Sequence, residues 1–305
     1  MTATPQAAPD GDGHPDRATE VFLAHRNLLF TVAYEMLGSA ADAEDVLQET
    51  WLRWVGVDLD AVREQRAYLV RITTRQALGR LRAVGRRRES YVGSWLPEPL
   101  LTAPDVAEDV ELADSVSMAV MLVLETLTPT ERAVFVLREV FDVGYDEIAE
   151  AVEKTPAAVR QIAHRARAHV AERRPRGGAS PAETRDVLSA FRRATETGDL
   201  QGLLDVLAPD VVLLGDGGGI KQAVPKPVVG ADKVARLIAA GLRKVPGASL
   251  HPAQVNGYPA LVLRLGGELD TVLAVRVADG VVTGLYAVRN PEKLAHMARE
   301  TTLRR

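Results

Sequence analysis

The chain has 305 residues, 47% of them hydrophobic, and its 37 basic and 41 acidic residues give a net charge of −4. This length and composition fit a globular protein of two or three domains, and the absence of cysteine excludes disulfides, thiolate zinc sites and a cysteine nucleophile. No apolar stretch suits a signal peptide or a membrane span, so we expect a cytoplasmic protein without a membrane partner.

Charge is distributed unevenly along the chain. Nine arginines and one acid lie within residues 63–88, and six arginines and one acid lie within residues 156–176. Residues 98–125, between these two stretches, contain seven acids and no base. Clusters of arginine attract polyanions whatever the net charge, so this pattern indicates a polyanionic partner.

Apolar residues at helical spacing predict an α-helical half of the chain up to about residue 175. Ser39 is positioned to cap the second helix and Asp60 the third, which Gly79 and Gly85 are expected to break or loosen. Prolines predict a linker over residues 91–105. The predicted helices cover residues 16–37, 39–55, 60–88, 106–126, 130–140, 145–152 and 156–174.

The pattern changes after a second predicted linker at residues 174–178. Ser180, Pro181 and Glu183 form a capping-box helix start, and one or two helices follow to about residue 207. Apolar, β-branched runs separated by Gly- and Asp-containing turns then predict an α+β domain with a mostly antiparallel, curved sheet. The predicted strands cover residues 211–214, 260–265, 271–277 and 281–288, with a helix at 231–244.

Residues 145–167 have the layout of a helix-turn-helix. Thr155 is a candidate N-cap and Pro156 a first-turn residue of the second helix. A charged surface helix of an ordinary bundle is the alternative, which the short turn and the caps disfavour. The inward positions are Val159, Ile162, Ala163, Ala166 and Val170. The outward ones, which suit base edges and phosphates, are Arg160, Gln161, His164, Arg165 and Arg167.

The basic helix after residue 60 has a stripe of arginines with stacking and hydrogen-bonding residues between them. Such a surface suits an opened nucleic-acid strand, and a solvated basic face is the alternative. The arginines are Arg71, Arg75, Arg82 and Arg86, and the interleaved residues are Tyr68, Thr73, Thr74 and Gln76.

The preceding helix has an acidic face formed by Asp42, Asp45 and Glu49. Carboxylates at this spacing can contribute to a magnesium site, but only with ligands from elsewhere in the chain. A solvated face or a contact with a basic protein partner is the favoured interpretation.

Together these segments resemble extracytoplasmic-function (ECF) sigma factors. Asp42–Trp51 resembles region 2.2, and Arg66–Ile72 is similar to regions 2.3–2.4. Leu127–Phe135, Tyr145–Ala149 and His164–Arg167 resemble region 4. Three further motifs resemble the subgroup with a fused C-terminal SnoaL-like domain: Trp95–Leu100, Asp216–Gly219 and Asn290–Leu294.

The resemblance implies a multidomain fold. Two all-α sigma modules, a region 2 helical bundle and a region 4 helix-turn-helix, are followed by an α+β SnoaL/NTF2-like cone domain. The expected boundaries are a disordered tail at 1–16, region 2 at 17–90, a linker at 91–110, region 4 at 111–176 and the SnoaL-like domain at 177–305.

The resemblance also implies partners, namely core RNA polymerase and promoter DNA. Region 2.2 docks on the β′ clamp helices through Asp42, Asp45, Gln48 and Glu49, and region 4 docks at the β flap. The −10 contacts are Arg66, Arg71, Thr74, Arg75 and Arg82. The −35 contacts are Thr155, Arg160, Gln161, His164, Arg165 and Arg167.

The acidic linker, with Trp95, Leu96, Pro97, Glu98 and Pro99, is expected to follow the RNA-exit path. The regulatory motifs of the C-terminal domain are Asp216, Gly217, Gly218, Gly219, Asn290, Pro291, Glu292 and Lys293. Two positions depart from the family pattern: Arg75 replaces a frequent Asn, and Ile220 follows the glycines, which displaces Lys221 by one position.

Asp216, His251 and Asp270 are the acid–base candidates of the C-terminal domain. No metal-ligand spacing or Walker-type phosphate loop is present, so we expect no catalytic residues, no metal and no cofactor. We expect this domain to regulate the sigma modules, and whether it holds a small ligand is left open. The alternative is a small-molecule-sensing or small-molecule-converting SnoaL-like protein with a helix-turn-helix DNA-binding region.

Overall fold

A computed structural model describes residues 13–88, 91–103, 109–173, 179–243 and 247–305. No helix within these ranges is long and apolar enough to cross a membrane. The second predicted linker, at 174–178, and most of the predicted N-terminal tail lie outside the described residues. The first helix begins at Gly13, earlier than predicted.

The first helical domain is a three-helix unit. Ser39 caps its second helix as predicted, because its side chain accepts a hydrogen bond from the backbone N–H of Asp42. Asp60 does not cap the third helix: it lies in a short 3₁₀ turn that Asp58 caps. The helices are α1 (Gly13–Leu37), α2 (Ala40–Trp54) and α3 (Gln65–Arg88), and the 3₁₀ turn covers Leu59–Ala61.

The predicted break of α3 at Gly79 and Gly85 is wrong, since the helix is continuous to Arg88. A single glycine costs an exposed helix about 1 kcal/mol. Leu69, Ala77 and Leu81 hold the inner face of α3 in the core and offset that cost.

The described part of the second helical domain contains four short α-helices and one long one, α8. The predicted single helix at 106–126 is two helices, because Ser117 adopts an extended conformation and caps the second of them. The segment Val136–Val140 widens to a π-turn after α6. The helices are α4 (Val110–Val116), α5 (Met118–Leu124), α6 (Pro129–Phe135), α7 (Tyr145–Val152) and α8 (Pro156–Arg173).

The C-terminal domain is the predicted α+β unit. Its six-stranded sheet has the order β2-β1-β6-β5-β4-β3, and every neighbouring pair is antiparallel except β1 and β6. The helices are α9 (Pro181–Thr197), α10 (Leu200–Val206), α11 (Ala231–Arg243) and α12 (Pro291–Leu294). The strands are β1 (Leu207–Asp216), β2 (Val228–Val229), β3 (Ala248–Val255), β4 (Tyr258–Leu265), β5 (Glu268–Ala278) and β6 (Val281–Val288).

Strand β3 was not predicted. Its sequence contains Pro252 and several polar residues, which resemble a loop. The strand lies at the edge of the sheet, where a proline interrupts no ladder hydrogen bond.

The two faces of this sheet pack against different parts of the chain. One face forms a core with α9, α10 and α11 that includes Phe191 and Leu285. The other face packs on Leu96 of the linker and Met118 of α5. A separate core joins the two helical domains. The linker therefore lies between the sheet and the helical domains.

Candidate nucleic-acid interface

Helix α8 presents most of its predicted recognition face to solvent. Thr155 caps the helix through a 3.2 Å hydrogen bond from the N–H of Ala158. Arg167, although exposed, is 3.5 Å from Glu139 and 3.4 Å from the Tyr145 hydroxyl, so its guanidinium is partly held by its own domain. The buried residues are Val159, Ala163, Ala166 and Val170. The other exposed residues of the predicted face are Arg160, Gln161, His164 and Arg165.

The arginine stripe of α3 lies against α7. Arg71 Nη1 is 2.5 Å from Glu150 Oε2, and the Arg71 guanidinium lies 4.8 Å from the centre of the Tyr68 ring. Arg75 donates to the main-chain oxygen of Glu150 at 2.8 Å and lies 3.9 Å from Glu153. Two of the predicted −10 contacts therefore already bind acceptors of the helix-turn-helix domain.

The remaining −10 candidates differ in exposure. Arg66 and Arg82 are exposed. The side chain of Arg86, which belongs to the arginine stripe but is not a −10 candidate, lies outside the described residues. Thr74 is fully buried, so in this arrangement it cannot reach a DNA strand. Thr73 is also buried, 3.4 Å from the Thr50 hydroxyl. Both threonines lie on the inner face of α3, which explains the departure from the predicted surface.

The acidic face of α2 is organised by an arginine that the sequence pattern did not single out. Arg80 Nε donates to Asp42 Oδ1 at 2.8 Å, and Arg80 also binds Asp45. Gln48 and Glu49 remain exposed on the same helix. The carboxylates of Asp42 and Asp45 are thus paired with the Arg80 guanidinium. Among the described residues, no group of three or more His, Cys, Asp or Glu side chains is placed to hold a metal ion.

Three residues of the C-terminal domain, which we call the linker anchor, bind linker residues 91–96: Asp216, Asn290 and Lys293. The fully buried Asp216 carboxylate accepts from the Tyr91 hydroxyl at 2.7 Å and from the N–H of Leu96 at 2.9 Å. Lys293 Nζ is 2.7 Å from Asp216 and donates to the Leu96 carbonyl at 2.6 Å.

Aromatic rings of the linker complete this contact. Lys293 Nζ lies 4.7 Å from the centre of the Tyr91 ring and 4.1 Å from that of Trp95, within cation–π range. Asn290 caps α12 and donates to the Tyr91 hydroxyl at 2.9 Å. The motif residue Gly218 has φ +62°, and a Cβ there would collide with the Asn290 amide. The motif therefore needs glycine for both conformation and space.

The other side of the linker caps the acidic helix. Glu98 Oε1 accepts from the Ser39 hydroxyl at 2.8 Å, and Glu98 Oε2 accepts from the N–H of Ala40 at 2.7 Å. The Tyr34 hydroxyl donates to the main-chain oxygen of Glu98 at 2.6 Å. Residues 95–98 thus connect the C-terminal domain to the start of α2.

Asn256, in the turn between β3 and β4, contacts three parts of the chain. Its Nδ2 donates to the Tyr34 hydroxyl at 2.7 Å and to the Val116 carbonyl at 2.8 Å. Its Oδ1 accepts from the N–H of Leu100 at 2.9 Å. Sequence reasoning missed this residue. An Asn-Gly turn carries a local signal for a hairpin, but none for a contact with distant domains.

A buried ionic cluster joins the two helical domains. Arg132 Nε donates to the Glu35 carbonyl at 2.8 Å, and Arg132 Nη1 binds Glu125. Ser115 donates to Glu35 Oε1 at 2.8 Å. Glu35 Oε2 and Arg132 Nη2 are buried and make no hydrogen bond with the described part of the chain.

Burial dominates the acidity of this cluster. It raises the pKa of Glu35 to about 8, against the smaller opposing effects of the Ser115 hydrogen bond and the Arg132 charge. Burial also lowers the pKa of Arg132. Neither residue was a sequence candidate, because a lone Glu in an apolar helix gives no sign of its partner.

The three acid–base candidates of the C-terminal domain do not converge. Asp216 lies at the linker anchor, whereas Asp270 lines a pocket between the sheet and helices α9 and α11. His251 is exposed on β3 and lies 2.9 Å from the Ser249 hydroxyl. Asp270 binds Lys221 at 2.7 Å and Arg289 at 2.9 Å.

Comparisons with known proteins agree with this arrangement. The Sigma-70 region 2 family matches residues 21–87, and the Sigma-70, region 4 family matches residues 117–170. The chain is 36% identical over 295 residues to the ECF RNA polymerase sigma factor SigJ of Mycobacterium tuberculosis, covering 89% of this chain and 91% of SigJ. The probable ECF sigma factor SigI of the same species is 33% identical over 288 residues, with 93% and 97% covered. The crystal structure of SigJ matches with a TM-score of 0.74 at 34% identity, over 91% of this chain and 98% of that chain.

Proposed function

The chain belongs to the ECF RNA polymerase sigma factors, and from that premise we propose that it binds core RNA polymerase, recognises a promoter and initiates transcription under the control of its third domain. It acts in the cytoplasm with the polymerase, and it catalyses no reaction itself. The observation that carries the proposal is the capped, solvent-facing recognition helix α8.

The −35 element is assigned to the exposed face of α8. Arg160, Gln161, His164 and Arg165 project from a helix whose opposite face is packed in the core. Arginine and glutamine make hydrogen bonds to base edges in a major groove, and the other cations suit phosphates. Thr155 supports this face as the N-cap, and Arg167 adds a phosphate contact at its edge.

The −10 element is assigned to α3 through Arg66, Arg71, Arg75 and Arg82. We leave Thr74 out because it is buried. The carboxylates of Glu150 and Glu153 pair with Arg71 and Arg75. They lie where promoter DNA would place its phosphates. The arrangement is therefore a resting form, and α7 must leave α3 before the −10 strand binds.

The surface for core polymerase is assigned to α2, against the β′ clamp helices, with region 4 at the β flap. Gln48 and Glu49 are exposed for this contact. Arg80 holds Asp42 and Asp45 on the same side of the domain. Arg80 thus acts as a positioning residue for the carboxylates.

Control by the third domain is assigned to the linker anchor. The anchor holds Leu96 on one side, while Glu98 caps α2 on the other. If the linker is to follow the RNA-exit path in the polymerase complex, it must leave the anchor. The buried pair of Asp216 and Lys293 therefore sets how readily the resting form opens.

Run-off transcription with purified core polymerase on a promoter mapped for this protein tests the proposal. The full chain should direct initiation, and the double variant Arg160→Ala/Arg165→Ala should reduce it at least tenfold. Arg236→Ala, which removes an exposed arginine of α11, is the matched control and should have no effect. Lys293→Met should change the yield at least threefold, and Lys293→Arg should change it less.

Two outcomes count against the proposal. The sigma assignment fails if no initiation occurs while a known sigma factor is active with the same core enzyme. The regulatory assignment fails if Lys293→Met transcribes like the unchanged protein. A pull-down of core polymerase separates the proposal from a conventional helix-turn-helix repressor, which would not retain the enzyme.

A further inference from the structure

An apolar pocket of about 230 Å³ lies between the sheet of the C-terminal domain and helices α9 and α11. Phe191 of α9, Ile238 of α11 and three strand leucines, Leu213, Leu250 and Leu273, form much of its wall. A pocket of this size is smaller than a typical drug-sized ligand site. Its walls suit the hydrocarbon part of a small molecule.

One end of the pocket is charged. Asp270 and Arg289 lie in the wall, and Arg289 Nε and Nη2 donate to the Asp270 carboxylate at 2.9–3.1 Å. Lys221, from outside the pocket wall, donates to the same carboxylate at 2.7 Å. Two cations thus surround one carboxylate, so this cluster carries a net positive charge and favours an anionic group of the ligand beside Arg289.

Asp270 holds these cations in place. Burial alone would raise the pKa of Asp270, but hydrogen bonds from Lys221 and Thr271 and the neighbouring Arg289 outweigh it and lower the pKa. The carboxylate therefore stays ionised at neutral pH. An ionised Asp270 is a fixed partner for the cations and a poor proton donor, which suits binding.

The charged end is connected directly to the linker anchor. The backbone N–H groups of Arg289 and Asn290 both donate to the main-chain oxygen of Asp216, at 2.7 and 3.0 Å. Arg289 Nη1 donates to the carbonyl of Gln222 at 2.5 Å, in the loop that follows the glycine motif. A ligand that moves the Arg289 guanidinium therefore acts on the same short segments that hold the linker.

We propose that this pocket binds a small amphipathic monocarboxylate and that its occupancy changes how firmly the linker is held at Asp216. The apolar part fills the space between α9, α11 and the sheet, and the carboxylate binds Arg289. This inference rests on the proposed control of the sigma modules by the third domain, and it supplies the class of signal.

Isothermal titration calorimetry of the full chain with decanoate tests the site. Decanoate should bind at one site, and decanol, which lacks the charge, should bind at least tenfold more weakly. Ile238→Trp and the smaller change Leu273→Phe, which both fill the pocket, should weaken decanoate binding at least tenfold. Leu200→Phe, on α10 outside the pocket, is the control and should bind like the unchanged protein.

Three results would overturn the site. They are no binding of decanoate at 1 mM, equal binding of decanol, and unchanged binding by both folded pocket variants. Circular dichroism shows which variants are folded.

Hydrogen exchange of the linker amides tests the coupling. Saturating decanoate should change the exchange rate of peptides covering residues 92–100 at least threefold, and Lys293→Met should abolish that change while decanoate still binds. Unchanged exchange in the presence of bound decanoate overturns the coupling. Neither measurement uses polymerase, so failure here is distinguishable from failure of the transcription assay.

Discussion

Helices α3 and α8 are both rich in arginine, but they differ in whether their arginines are exposed or paired with acids. The outward face of α8 is exposed, whereas Arg71 and Arg75 of α3 are bound by Glu150 and Glu153 of α7. The same residue type on the same kind of helix therefore differs in availability. Clustered arginine predicts a surface for nucleic acid, and the packing of the domains decides which of these surfaces is exposed.

The contacts that hold the two helical domains together differ in strength. Ion pairs between exposed side chains, such as Arg75 with Glu153, contribute about 0–1 kcal/mol each. Removing one partner of a buried pair costs about 3–5 kcal/mol, because the other charge is left buried. The acidic cover over α3, formed by Glu150 and Glu153 of α7, is thus easily released. The buried cluster at Arg132 is the stronger connection.

Removing Arg132 from the buried cluster should have the largest effect on the stability of the chain. Arg132→Met leaves Glu125 and the Glu35 carbonyl without their guanidinium, so the free energy of unfolding should fall by about 3–5 kcal/mol. Urea denaturation followed by circular dichroism measures this. Arg236→Met, which removes an exposed guanidinium paired with the exposed Asp232, is the control and should cost less than about 1 kcal/mol. Equal losses in the two variants would deny Arg132 its structural role.

The raised pKa of Glu35 should make the stability of the chain depend on pH, with a smaller effect than the loss of Arg132. Its pKa is raised from 4.5 to about 8, so the folded chain binds a proton that the unfolded chain has lost, and stability falls as pH rises through this range. Between pH 5 and 8 the free energy of unfolding should fall by about 3 kcal/mol more than in Glu35→Gln. Urea denaturation of both proteins across this range checks the sign. Parallel pH profiles would mean that Glu35 does not titrate there.

Releasing the cover over α3 should have the smallest effect. Glu150→Gln/Glu153→Gln removes two largely exposed negative charges from Arg71 and Arg75, worth up to about 1 kcal/mol each. The affinity for a single-stranded −10 oligonucleotide should therefore rise about twofold to tenfold, which fluorescence anisotropy measures. Glu147→Gln, an exposed acid of the same helix, is the control. If the control raises the affinity equally, general charge explains the effect and the cover does not.

Much of the local structure was readable from the sequence. The caps Ser39, Thr155 and Ser180 act as predicted, because each side chain binds a backbone N–H only three residues away. The two faces of α8 were also predicted correctly, because an apolar stripe at helical spacing has only one way to be buried. The mostly antiparallel sheet followed from its β-branched runs, apart from the two-residue β2 and from β3 with its edge proline.

The roles of several site residues depended on distant partners. Thr74 was predicted to lie on the surface of α3, but the position of this helix against its neighbours buries it. Arg80, Arg132 and Asn256 carry no local pattern that separates them from ordinary surface residues. Asp216 and Lys293 were singled out by resemblance, but the sequence did not predict that both bind the backbone of Leu96.

The sequence by itself determined most of the helices, the caps at Ser39, Thr155 and Ser180, the exposed face of α8 and the membership of the sigma family, since each rests on local patterns a few turns long. Only the tertiary structure decided that α3 is covered, that Asp216 binds a linker residue 120 positions away, and that Asn256 reaches Tyr34 across 222 positions. The physical reason is that a short-range contact has few alternatives for a given pattern. A long-range hydrogen bond has many alternative partners, and the packing of all three domains selects among them.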